Sequence, residues 1–236
     1  MFNFVKTIHL LMFKFLSINL LILFFLSSCI EIIDDLSIKS DGSGTLKYTI
    51  NLSSSKLKVN SILALDSIDG KKVPSIDEIK QKIDLFVKTL DAQNGISNVK
   101  VEENFTDFIF KFQCDFTNVY ILQDGLKQSV MILTKEKSIP QFEHNWLTWD
   151  GNKLVRSIPE ITGKKINEIN DTDIELLKKG SYTSITRFDK AVEKFENPSA
   201  QLSKSKMAVM VKTDTYRLKE NQDILENTIY LTTSKN

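Results

Sequence analysis

The chain has 236 residues, 31 basic and 30 acidic, and a formal net charge of +1. That balance excludes the basic stripe that a nucleic-acid footprint needs and any polybasic membrane patch. Its 8 glycines and 4 prolines exclude a collagen-like or low-complexity polymer, and 2 cysteines are too few for a disulfide framework.

The first stretch, Met1–Cys29, carries Lys6 and Lys14, then the apolar run Phe15–Phe25 (FLSINLLILFF), then Leu26-Ser27-Ser28-Cys29. A basic start, a short apolar centre and small residues before a break read as an export signal. A membrane-spanning helix needs about 20 apolar residues; this run is about half that, and Lys14 interrupts any longer one. The competing reading is an uncleaved anchor helix, against which stands the abrupt polar turn at Asp34-Asp35 after Ile33. The Leu-Ser-Ser-Cys ending resembles the lipobox of bacterial lipoproteins. The resemblance implies cleavage before Cys29 and a diacylglyceryl group on its thiol, with palmitate-class acyl chains as the membrane contact. One chain holds a protein only marginally, whereas two or three on one residue hold it firmly. Residues 1–28 are then a signal peptide and 29–236 a single lipoprotein domain, large enough to bury a core unaided. Loss of Lys6 and Lys14 leaves 29 basic residues against 30 acidic ones.

Ile30–Ser40 alternates loosely and reaches Asp41-Gly42-Ser43-Gly44, after which Leu46, Tyr48, Ile50 and Leu52 fall at period two. Two such runs around an Asp-Gly pair predict a hairpin; a calcium loop would need further carboxylates and a downstream Glu. Ser53–Asp69 is helical but weakly patterned. Ser75 and Glu78 form a capping box, and Ile76, Ile79, Ile83, Phe86 and Leu90 mark one helix face before Gly95. Val99–Phe116 reads as a second hairpin turning at Asn104–Asp107. On its return strand Phe108, Phe110, Phe112, Cys114 and Phe116 share a face, which makes Cys114 a buried, inert thiol. A nucleophilic Cys114 would find only His144 as a histidine partner beyond the signal.

A helix from Thr117 places Val119, Leu122, Leu126, Val130 and Leu133 on one side. Phe142–Trp149 and Lys153–Ile158 flank Asp150-Gly151-Asn152 as a third hairpin, with Trp146 and Trp149 on opposite faces; that leaves room for one to be exposed, but a Trp covering a helix is the commoner outcome. Thr172 and Glu175 cap a short helix that ends at Gly180. Asp171, Asp173 and Glu175 are the densest acidic cluster, which capping and the helix dipole explain. Tyr182–Phe188, Val192, Asn197-Pro198, Ala200–Ser203 and Met207–Val211 follow, with a turn at Lys204–Lys206. Phe188, Val192 and Phe195 also fit helical spacing, but flanking β-rich segments favour an extended path. A helix around Leu218–Leu225 and a strand Thr228–Thr233 complete the chain.

The strand ending in Phe188, the valine four residues on, the Asn197 turn and the short hairpin into Val209-Met210-Val211 resemble LppM-like lipoproteins and, more closely, lipoproteins of Bacteroidetes. The first hairpin after Cys29 fits the same families. The resemblance implies a sheet-and-helix groove open to a ligand. Hairpins with two one-sided helices predict an α+β fold, a mainly antiparallel sheet covered on one side by the helices Ser75–Leu90 and Thr117–Leu133.

No phosphate loop, His-Glu-x-x-His helix or Cys-x-x-Cys pair occurs. The expectation is therefore a bacterial envelope protein, facing the periplasm or cell surface, with no catalytic residue, no cofactor, no metal and no nucleic-acid partner. Its contacts are the membrane, through Cys29, and a lipid, glycolipid, glycan or envelope protein. The alternative is a carboxylate-based envelope hydrolase. An apolar groove favours the first, and a polar cleft with two close acids of raised pKa the second.

Overall fold

The computed structural model describes residues 30–68, 70–135, 145–157 and 178–233. Strands β1 (Glu31–Ile38) and β2 (Gly44–Asn51) form the first hairpin. Gly42 takes the positive φ of 84° that its turn requires, and Asp41 Oδ1 accepts hydrogen bonds from the Ser43 N–H and hydroxyl at 2.9 and 2.7 Å. The helix expected over Ser53–Asp69 is shorter: a 3₁₀ turn at Ser53–Ser55 leads into α1 (Lys56–Leu63), then a small hairpin of β3 (Ser67–Ile68) and β4 (Lys71–Lys72). No side chain caps α1 and none of its residues is fully buried, so little packing exists to extend it.

Helix α2 (Ile76–Asp91) starts on the expected capping box. The Glu78 N–H donates to Ser75 Oγ at 3.1 Å, and the Ser75 N–H donates to Glu78 Oε2 at 2.8 Å. β5 (Ile96–Asn104) and β6 (Ile109–Phe116) make the second hairpin. Phe108 belongs to its turn, with φ 55°, rather than to the strand, though it is buried as expected. Helix α3 (Val119–Thr134) is capped one residue later than expected, by Asn118, whose Oδ1 accepts from the Tyr120 and Ile121 N–H groups at 3.0 Å each.

β7 (Leu147–Trp149) and β8 (Lys153–Arg156) form the third hairpin. Phe142–His144 and Ile158 lie outside the described residues, as do Asp171, Thr172, Asp173 and Glu175. β9 (Ser181–Phe188) is followed by β10 (Val192–Phe195), so the path past Phe188 is extended. β11 (Ala200–Leu202) and β12 (Ala208–Asp214) make the last hairpin. The single final helix is instead α4 (Thr215–Glu220) and a 3₁₀ turn at Gln222–Leu225, because Asn221, at φ −145° and ψ 105°, leaves the helical region between them. β13 (Asn227–Leu231) ends the fold.

The class is α+β with a mainly antiparallel sheet. Seven strands run in the order β11-β12-β9-β1-β2-β6-β5, with β1 and β9 parallel, beside a four-stranded sheet β10-β13-β8-β7. The register aligns Asp34, Leu36 and Ile38 with Tyr48, Leu46 and Gly44 on one side and with Ser184, Thr186 and Phe188 on the other. Phe112, Cys114 and Phe116 continue the same rows. Since side chains alternate along a strand, all of these share one face.

Two helices, each about 10 Å wide, cannot cover seven strands spaced about 4.8 Å apart. They cover the β5–β6 half. Phe86 meets Phe112 edge-on at 5.4 Å between centroids, and Leu90 and Leu122 join Cys114 in one buried cluster. The four-stranded sheet packs against the other half, where Trp149 stacks on Phe188 at 6.1 Å. Leu147, Leu154, Ile229 and Leu231 extend the core there. The expected helical cover is thus half of the arrangement. Gln123 joins the two covers: its amide donates to Leu147 O and accepts from the Leu147 N–H, both at 2.9 Å, so a fully buried side chain completes the edge of β7.

Candidate functional site

Cys29, the expected lipid attachment, lies outside the described residues, but its neighbour does not. The Ile30 carbonyl accepts a hydrogen bond from the Ser181 N–H at 2.7 Å, and β1 is the central strand of seven. Ile30, the residue after Cys29 in the sequence, is thus tied to the middle of the large sheet. Cys114 is fully buried opposite Leu46, and burial, aided by Asp115, pushes its thiol up to about 12. Trp146 and Trp149 are both half-buried against the core, so neither stands free. Lys127 lies 5.5 Å from the Trp146 ring centroid.

The chemistry gathers where the two sheets meet. Asp34 projects onto the buried face of β1, and Arg156 ends β8 above it. Arg156 Nη2 donates to Asp34 Oδ2, Arg156 Nη1 donates to Thr186 Oγ1 at 2.9 Å, and the Tyr182 hydroxyl donates to Asp34 Oδ2 at 3.0 Å. Tyr48, beside Asp34 in the register, is hydrogen-bonded to Tyr182. The two charged side chains are only 10% and 13% exposed. Burial, reinforced by the Asp34 charge, pushes the Tyr48 hydroxyl up to about 12 and raises Tyr182 well above its ordinary value. Both phenols are therefore neutral donors at physiological pH. Asp34 Oδ1 is buried with no hydrogen-bond partner. As it stands the cluster is a polar joint: a carboxylate already engaged by a guanidinium and a phenol, clamping one sheet to the other.

Arg156 also lines a cavity of about 450 Å³ with Arg217, Asn197, Asn221, Asn227 and Glu196 among its walls. Its walls are fixed. Asn197 Nδ2 donates to the carbonyls of Ile224 and Glu226 at 2.9 and 2.6 Å, and Asn227 Oδ1 accepts from the Asn197 N–H at 3.0 Å. The Tyr230 hydroxyl donates to Glu196 Oε1 at 2.8 Å, and this bond holds the Glu196 carboxyl below its ordinary range. Guanidinium, amide and carboxylate groups together can read a ligand rich in hydroxyl or amide groups. The groove expected between helices and sheet is occupied at the level of Phe86, Leu90, Leu122 and Cys114 by those side chains themselves.

The acids singled out in the sequence, Asp171, Asp173 and Glu175, are not among the described residues, and among those described no three His, Cys, Asp or Glu side chains gather as a metal would require. Sequence reasoning missed Asp34 and Arg156. A signal existed for each. Asp34 interrupts the alternating Ile32, Leu36 and Ile38, and Arg156 interrupts Leu154 and Ile158. Two opposite charges on otherwise apolar strand faces are candidates to meet. Asn197-Pro198 reads in the sequence only as a turn.

Among the described residues no helix is long and apolar enough to cross a membrane. No family model matches the chain, and no curated protein matches it significantly. Among solved structures, the folded domain of the Mycobacterium tuberculosis protein LppM, determined by NMR, aligns over 90% of this chain and 95% of its own, at 12% identity and a TM-score of 0.39. A likeness that distant carries no argument about what this chain does.

Proposed function

We propose that this chain is a lipoprotein of the bacterial cell envelope, held to its membrane by acyl chains on Cys29, and that its α+β domain is a non-catalytic binding or accessory module. The observation that carries the reading is the order Lys6, Lys14, apolar run, Leu-Ser-Ser-Cys, with the next residue, Ile30, already hydrogen-bonded to the sheet at Ser181. The module's ligand is a polar one, a glycan or a segment of an envelope protein, taken into the cavity between Arg156, Arg217 and the asparagines. Filling of the helix–sheet interface by phenylalanine and leucine side chains speaks against an acyl chain there. The hydrolase alternative needs an acid of raised pKa in the cleft; Glu196, held low by Tyr230, runs the other way.

The test is to express the full chain in a bacterial host, fractionate, and weigh the membrane form. Cleavage before Cys29 with added acyl mass is expected, and Cys29→Ser should yield an unprocessed precursor or released protein. Normal processing and unchanged membrane retention of that variant would refute the proposal.

A further inference from the structure

We propose that helix α1 and the β3–β4 hairpin lie in the headgroup layer of the membrane to which Cys29 is anchored, an inference that rests on the lipid-anchor reading above. Among the described residues the two most exposed large apolar side chains are Leu57, 85% exposed, and Leu65, 51% exposed. Ile68 and Ile76 are exposed as well. Singly, exposed leucines are ordinary on a soluble surface. Leu57, Leu65 and Ile68 belong to one connection between β2 and α2, and Ile76 opens α2.

That connection is at the anchored end of the sheet. Glu31 pairs with Asn51, the last residue of β2, and Lys56 Nζ holds Asp107 of the β5–β6 turn at 3.1 Å. The spacing of Leu57, Ser61, Ala64 and Leu65 puts them on one side of a continuing helical path. Ser61 presents no unsatisfied donor, because its hydroxyl donates to Leu57 O at 2.9 Å. Val59, Ile62 and Leu63 turn the other way and are half-buried. Leu57 on α1 and Leu65 just beyond it are thus covered by nothing in the described fold, beside the exposed Lys58, Asn60 and Ser61.

The tether says what covers it. With Ile30 already hydrogen-bonded into the sheet, no slack separates Cys29 from the domain, and one residue spans at most about 3.6 Å. An acylated Cys29 then holds this end against the bilayer surface, within the roughly 5–10 Å depth at which interfacial helices bury their apolar side. The acyl chains supply attachment; the leucines fix orientation, so the strands stand off the membrane and the β11–β12 turn is carried away from it.

The experiment uses full-length lipidated protein carrying Leu57→Cys, Leu65→Cys or, at the opposite end, Met207→Cys, each labelled with an environment-sensitive thiol dye. Cys29 is blocked by acylation and Cys114 by burial. In phosphatidylglycerol–phosphatidylethanolamine vesicles containing a nitroxide lipid, emission should be lost at positions 57 and 65 and retained at 207. Protein that sediments with vesicles yet shows equal emission at all three positions, quenched or not, overturns this inference and leaves the anchor standing. Protein without acyl mass that fails to sediment overturns both.

Discussion

The two halves of the covered sheet face are buried by different means. Over β5 and β6, α2 and α3 close on Phe112, Cys114 and Phe116 with mainly apolar side chains and no ion pair among the described residues. Over β1 and β9, the second sheet brings Arg156 onto Asp34, Thr186 and Tyr182 as well as Trp149 onto Phe188. The first half draws its stability from area and tolerates small changes of shape. The second half depends on a pairing: neither charge is acceptable in that place without the other. The difference teaches that the helical half is a packing unit, whereas the joint between the sheets is a specific fit.

The strongest way to break the comparison is to remove one charge. Arg156→Met leaves Asp34 buried and unpaired and should lower unfolding stability by about 3–5 kcal/mol, read as a shift of the urea midpoint. Adding Asp34→Leu should restore most of the loss. If the single variant is neutral, the joint is not a matched pair.

Alkali should sharpen it next. Tyr48 has an ordinary hydroxyl pKa of 10.0 and a folded one of about 12. Above pH 10 the unfolded chain sheds a proton that the folded one keeps, so this stability is complete below pH 10 and is lost as pH rises toward 12. At 1.36 kcal/mol per unit the loss is about 2–3 kcal/mol, and Tyr48→Phe should remove that share from the slope of urea-derived stability, leaving the shares of Tyr182 and Cys114. An unchanged slope in the variant would place Tyr48 outside the joint.

At neutral pH the smallest effect belongs to the apolar half. Cys114→Ala should cost about 1–2 kcal/mol at neutral pH. It should also remove the part of the alkaline loss that begins near pH 9, because the folded thiol titrates only at about 12 against 9.0 when free. Rapid modification of Cys114 by a thiol reagent in native protein would contradict its burial.

How much of this could be read in the chain follows the same division. Phe110, Phe112, Cys114 and Phe116 announce their face by strict alternation, and Ser75 with Glu78 announces the start of α2; both signals are complete within a few residues. The joint is not local. Asp34 meets Arg156 across 122 residues and Tyr182 across 148. Only the register of β1 on β9, and of β8 over both, brings them together, and periodicity carries no register between distant strands. Gln123 was hidden for the same reason, since its partner Leu147 lies 24 residues on. The second sheet went unforeseen because its strands are three to five residues long, too short to declare a face.

The parallel pairing of β1 with β9 also governs the order of folding. β1, β2, β5 and β6 with α2 and α3 are contiguous in the chain and can assemble through local hairpins. Until β9 is available, however, β1 is an open edge with unpaired backbone groups and an unneutralised Asp34, the kind of edge that templates misassociation. Closing it requires the most distant strand contact in the fold, and such contacts form slowly. A chain delivered N-terminus first therefore keeps its central strand exposed until its last third arrives.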